Sequence, residues 1–332
     1  MLSRQQILIG IAILFVVALA ITLIIVLTRP KPRPNYPTYF KAYVEDCQDV
    51  PTSYNLQTLK KLDILGLDFS KACYGDDKAL LGNLQDFNGK IFIHFDQTKG
   101  AETCGTQPSS PSMDSKIFSA CAKTAKDELG DNLVEHINGV LWEKEGNKFV
   151  NACENEDCKS AFSTAFNRKM LFAGWKFFGG AWESLPSNWD YQFIEMYNIY
   201  NQCGSSGGDN CKLDYNPNYK FNPAVCGPPS SSGCEYGKQG MYSNALTIKQ
   251  QATWLATIFK DQPKPAVPNP EKTVIFFPFT DASKPSFKNI ITTEEQFNEF
   301  VQTFIDVLKD TSPGIEKCMY GAWGAPKWIY GS

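Results

Sequence analysis

The sequence predicts an α/β protein, a (β/α)8 barrel of the TIM type carried behind one N-terminal transmembrane helix. Three observations predict it. Residues 7–27 form a single uncharged apolar run. After it, eight short runs of apolar, β-branched or aromatic residues recur. Segments with apolar residues at helical spacing fall between those runs, the pattern of parallel strands joined by crossover helices. The 332 residues, 43% apolar and 20% charged, suffice for one large domain or two and exclude a disordered chain. A net charge of −3, from 32 Lys and Arg against 35 Asp and Glu, supplies no positive field to collect phosphates, so nucleic acid is not an expected partner. A mean hydropathy of −0.28 with one long apolar run excludes a polytopic membrane protein.

Taken in order, the first element is the anchor. At about 1.5 Å per residue a helix over residues 7–27 crosses the roughly 30 Å hydrocarbon core. A cleaved signal peptide is the rival reading, since Ala18, Leu19 and Ala20 imitate a cleavage site, but its apolar region would be about 7–15 residues and this run continues past it. Residues 1–28 are therefore read as the anchor. Residues 29–38, with Pro30, Pro32, Pro34 and Pro37, form a stiff extended linker. The barrel occupies residues 39–332. Arg29, Lys31 and Arg33 behind the helix favour a cytoplasmic domain by the positive-inside tendency. The 11 cysteines favour the opposite side: all follow the anchor, and Cys153 with Cys158, Cys203 with Cys211 and Cys226 with Cys234 bracket turn-forming residues as local disulfides do. The expectation is an exoplasmic domain at a cell surface, in a lumen or on a virion. No C-x-x-C pair occurs and His94 and His136 lie far from the cysteine pairs, so neither a metal nor another cofactor is expected.

The eight expected strands are 39–44, 64–69, 90–95, 139–142, 169–175, 193–197, 273–279 and 318–323. Expected helices are 56–62, 117–129, 157–166, 244–260 and 293–308. The last has Phe297, Phe300, Val301, Phe304, Ile305 and Leu308 on one stripe and Thr293 as cap ahead of Glu294 and Glu295. A doubly wound open sheet is the alternative, but no G-x-G-x-x-G follows the first strand. Residues 202–240, rich in Gly, Pro, Ser, Asn and Cys, read as a disulfide-pinned insertion after the sixth strand, either a lid or a surface excursion.

A parallel barrel brings its strand ends to one rim. That rim offers Glu45, Asp46, Lys71, Asp96, Glu143, Trp175, Tyr197, Asn198, Asp281 and Trp323. Aromatic faces stack on pyranose rings, and carboxyls beside them can serve as acids. Glu195 shares parity with Tyr197 and is either part of this rim or a satisfied core acid. His94, in the third strand, reads as a hydrogen-bonded core imidazole.

Three stretches resemble glycoside hydrolase family 18, the chitinase-like barrels. Asn138-Gly139-Val140-Leu141-Trp142-Glu143 resembles the fourth-strand signature D-G-x-D-x-D-x-E. The stretch from Tyr191 to Asn198 resembles the sixth strand, and Met319-Tyr320-Gly321-Ala322-Trp323 the eighth. The resemblance implies a barrel acting on N-acetylglucosamine-type glycans, with Glu143 as general acid and Trp323 flooring the sugar site. It also implies an Asp two residues before the acid, to orient the substrate acetamide that serves as nucleophile; this chain has Leu141 there. An apolar side chain cannot orient or charge-stabilise that intermediate. The expected function is therefore a membrane-anchored barrel that binds a polysaccharide without ordinary substrate-assisted hydrolysis. Trp175, Tyr197, Asn198, Trp323 and Glu195 would contact the glycan. An active glycoside hydrolase pairing Glu143 with Asp281, for which Asp96 or Glu195 could substitute, and a structural membrane-tethered surface or virion protein, are the alternatives.

Overall fold

The computed structural model describes residue 15 and residues 36–46, 53–69, 74–95, 115–143, 156–177, 182, 184–196, 247–260, 266–279 and 291–331. The chain divides into two units, Met1–Tyr36 and Pro37–Ser332. Of the first, Phe15 is helical and exposed, and the rest of the expected anchor and linker up to residue 35 lies outside the described residues. Among the described residues no helix is long and apolar enough to cross a membrane.

The second unit is a closed barrel of eight parallel strands in sequence order. Its elements are β1 (Phe40–Val44), α1 (Leu56–Leu59), β2 (Ile64–Asp68), α2 (Tyr74–Asn83), β3 (Lys90–Phe95), α3 (Ser115–Leu129), α4 (Asp131–Val134), β4 (Gly139–Glu143), α5 (Glu156–Ala165), β5 (Leu171–Phe177), β6 (Tyr191–Glu195), α6 (Ile248–Lys260), β7 (Thr273–Phe279), α7 (Glu294–Leu308) and β8 (Met319–Gly324). The doubly wound alternative falls, because β1 pairs with β8, with Tyr43 opposite Ala322 and Val44 opposite Trp323. All eight expected strands are present. The fifth and sixth are displaced, to Leu171–Phe177 and Tyr191–Glu195. Neighbouring chain sets those starts: the Leu171 amide donates to Asn138 O at 2.9 Å, and the Phe172 amide donates to Asp190 Oδ2 at 2.9 Å. Lys159 closes on the same carboxylate oxygen at 2.8 Å, tying α5 to the start of both strands.

The outer core lies between barrel and helices. Phe297, Phe300, Val301, Phe304, Ile305 and Leu308 bury the inner stripe of α7, and Phe277 meets Phe300 edge-on at 5.0 Å. Thr293 and Gln296 form the full capping box. Asn298, on the same helix, accepts from the Tyr39 amide at 2.8 Å, and Gln302 accepts from the Tyr39 hydroxyl at 2.6 Å, so the entry into β1 is pinned to α7. Beyond β8 the chain runs back beside the segment after β1: the Asn55 amide donates to Ile329 O at 2.7 Å and the Gly331 amide to Ser53 O at 2.7 Å.

Cys121 is disulfide-bonded, and Cys318 is a free buried thiol whose pKa burial pushes well up. Cys158 lies in α5, while Cys153, Cys203, Cys211, Cys226 and Cys234 and the whole expected insertion at 202–240 lie outside the described residues. Two helices were not expected from sequence. In α2, Gly75, Asp76, Asp77 and Gly82 interrupt any apolar stripe, and only Leu80 and Leu81 are buried among its described side chains. The other, α4, is a single turn.

Candidate functional site

Strand tilt makes inward side chains at one height come from alternate strands of a TIM barrel. The pairing register here sorts them into layers. One layer holds Ala42, Phe92, Ala173 and Val274, and the next Gly66, Leu141, Phe193 and Gly321. Above these come Val44, His94, Trp175 and Phe276. The uppermost positions of the even strands are Asp68, Glu143, Glu195 and Trp323.

The lower layers are filled by interdigitated size. Gly321 has no side chain because a Cβ there would stand 2.4 Å from Ala42 O and 2.6 Å from the Phe276 ring. The space it leaves lets Phe276 lie flat on Phe193, with centroids 5.3 Å apart and planes 15° apart. Leu141 is fully buried in this interior cluster.

In the third layer Trp175 stacks with Phe276 at 5.6 Å and 8°, and with His94 at 5.1 Å and 21°. Trp175 is 0% exposed and His94 2%. The indole Nε1–H of Trp175 donates to Glu195 Oε2 at 2.8 Å. Trp323, only partly buried, meets Trp175 at 79° with centroids 5.7 Å apart. Glu195 is 1% exposed, a core acid hydrogen-bonded to an indole. Glu143 ends β4 in register with Trp175 and has the strand parity of Leu141; its side chain lies outside the described ones. Asp68 is 3% exposed and pairs in register with His94.

At the end of β1, Glu45 is buried and accepts a hydrogen bond from the Tyr54 hydroxyl. Tyr54 is itself bridged to Tyr330, so the chain after β8 helps to place a group at the mouth. Asp46 is buried beside it in sequence. Lys71, Asp96, Tyr197, Asn198 and Asp281 lie outside the described residues. Among the described residues no group of three or more His, Cys, Asp or Glu is arranged to hold a metal ion.

Of the residues expected at the rim, the fold brings Glu143, Glu195, Trp175 and Trp323 to adjoining positions. Asp68 was missed. Its signal was present in the sequence: within Ile64-Leu65-Gly66-Leu67-Asp68-Phe69 it shares parity with Ile64, so the one acid of an apolar strand points into the barrel. His94 belongs to the same assembly, through its stacking with Trp175. Together these residues offer a partly exposed indole, and carboxyl groups that accept hydrogen bonds, set over an apolar floor. Such a surface suits a neutral ligand with hydroxyl groups and apolar ring faces.

No family model matches the chain, and no curated protein matches it. Among solved structures it is similar to a chitinase from Bacteroides thetaiotaomicron, with a TM-score of 0.42 and 9% identity over 86% of this chain and 89% of that one. It is also similar to a GH26 beta-mannanase from Bacteroides ovatus, with a TM-score of 0.36 and 10% identity over 89% of this chain and 84% of that one. Both neighbours are glycoside hydrolases, and they do not single out family 18.

Proposed function

We propose that this protein is a membrane-tethered barrel whose C-terminal mouth binds a polysaccharide of the N-acetylglucosamine type, without ordinary substrate-assisted hydrolysis. One observation carries the reading: Leu141 fills the interior one even-strand layer below Glu143, fully buried, while Trp323, at the same layer as Glu143 on β8, is partly open. Substrate-assisted cleavage needs a polar group beneath the acid, to orient the acetamide and to stabilise charge as it develops. An isobutyl group packed in the core does neither. What the mouth retains is the means of holding a sugar: an indole to stack on and acids to accept from hydroxyl groups.

The tether rests on residues 7–27, whose uncharged length matches a bilayer span. The exoplasmic side rests on the cysteines, to which the disulfide at Cys121 adds support, because such bonds persist in oxidising compartments. A hydrolase is the second reading. It is favoured by the placement of Asp68 and Glu195 in the same layer as Glu143, since two carboxyls in different surroundings can divide the roles of acid and base.

The test is calorimetric titration and product analysis of N-acetylglucosamine oligomers with the full-length protein in detergent, beside Glu143→Gln and Trp323→Ala. Saturable binding that Trp323→Ala abolishes, without turnover, is the expected result. Hydrolysis that disappears in Glu143→Gln would replace binding with catalysis, and absence of both would move the mouth away from these sugars.

A further inference from the structure

Trp175 was expected to touch ligand, yet it has no exposed surface. Its surroundings give it another task. Stacking with His94 and with Phe276 restrains the tilt of the indole. Stacked rings still slide and rotate in their own plane, because dispersion between flat faces is weakly directional. A directed contact at the ring edge is needed to stop that rotation. The Nε1–H bond to Glu195 Oε2 at 2.8 Å is such a contact, strengthened when the acceptor is ionised. Trp323 stands nearly perpendicular to Trp175, so the in-plane angle of Trp175 decides which part of its indole Trp323 meets.

Glu195 is an expensive way to fill its position. A carboxyl at 1% exposure sacrifices hydration, and buried charges replaced by apolar groups of similar volume often leave stability unchanged or improved. Its neighbour across the β6–β7 ladder, Phe276, is a fully buried apolar residue. The carboxyl is therefore explained by what it orients.

We propose that Glu195 is a positioning residue: through its hydrogen bond to Trp175 it fixes the plane of Trp323, the open ring on which a sugar stacks, and so sets glycan affinity without touching the glycan. This rests on the glycan reading above for its ligand, but not for its geometry.

Four full-length proteins in detergent test it: wild type, Glu195→Gln, Glu195→Leu and Trp323→Ala. The first readout needs no ligand. Two indoles at this distance and angle couple in circular dichroism, and the coupled signal is what wild type loses in Trp323→Ala. It should survive in Glu195→Gln, whose amide oxygen still accepts from the indole, and vanish in Glu195→Leu. The second readout is affinity for N-acetylglucosamine oligomers, expected to fall about tenfold in Glu195→Leu and to stay within about twofold in Glu195→Gln. A purely structural role would lower the melting temperature while leaving signal and affinity intact in a folded variant.

A Glu195→Leu protein that melts cooperatively and keeps the coupled signal overturns the proposal. Glu195→Met, closer in length, takes its place if the Leu variant does not fold. If neither folds, Glu195 serves stability and the proposal falls. Wild type that binds no oligomer overturns the glycan reading alone, because the coupled signal decides the positioning role by itself.

Discussion

The barrel interior contains two chemistries on the same strands. Two residues along β2, β4, β6 and β8 convert Gly66, Leu141, Phe193 and Gly321 into Asp68, Glu143, Glu195 and Trp323. Below the step, in the Gly66 layer and the Ala42 layer beneath it, every group is apolar or absent, and packing is by complementary size. Above it, carboxyls and an indole share one layer, with Asp68 and Glu195 almost without exposure. The difference teaches that, between the Lys90 ammonium over the Tyr191 ring at the opposite mouth and the height at which the strands end, the described interior carries no acid. A lower layer specifies the fold, and the upper one is available for chemistry.

The sharpest way to break this division is to move charge across the step. Leu141→Asp places a carboxyl in the apolar layer and should cost about 4 kcal/mol, read by chemical denaturation. If oligomer hydrolysis appears in that variant under stabilising conditions, the missing acid was the only obstacle to turnover. A smaller loss follows from deleting size below the step: Phe193→Ala should cost about 3 kcal/mol by leaving a cavity against Phe92 and Phe276, with oligomer affinity little changed in the folded fraction. Above the step the balance reverses. Asp68→Asn keeps the shape of the side chain and should weaken glycan binding about tenfold, or about 1.4 kcal/mol, while moving the melting temperature by only a few degrees. A large drop in stability with intact binding would place Asp68 with the scaffold.

The smallest effect lies outside the barrel and serves as a control. Burial raises the Glu294 carboxyl above its usual range, Glu295 adds to the shift, and Lys61 and Lys41 oppose it. A raised carboxyl stabilises the fold below its unfolded pKa, and that contribution is lost as pH rises through the folded value. Glu294→Gln should therefore flatten a shallow decline in melting temperature across and just above the carboxylate range, with no change in oligomer binding.

Much of this was legible in sequence because a strand buried on both faces is a run of apolar residues, and eight such runs needed no further information. The α7 helix was equally plain, since Thr293 and the Phe297 to Leu308 stripe carry both its cap and its buried face. The start of β6 was not, because Tyr191 and Gln192 are neither uniformly apolar nor turn-forming; pairing with Ala173 and Gly174 decides it. The site was legible only where parity could be read. Glu143 ends its strand and Trp323 stands one residue before the end of its own, whereas Asp68 is followed by Phe69, so only its parity with Ile64 marks its face. The role of Trp175 could not be seen in a single strand, because it depends on His94, Phe276 and Glu195 from three others.

The seam between β1 and β8 has a consequence for the time at which the barrel can form. Residues near Tyr43 find their ladder partners near Ala322, at almost the greatest separation the chain allows. Contacts of that separation form late, after the closure entropy of everything between them has been met. Until β8 emerges during synthesis, the free edges of β1 and β7 remain open templates for pairing with other chains. A truncation that removes only β8 therefore exposes two strand edges at once, and its expected outcome is aggregation rather than a slightly weakened barrel.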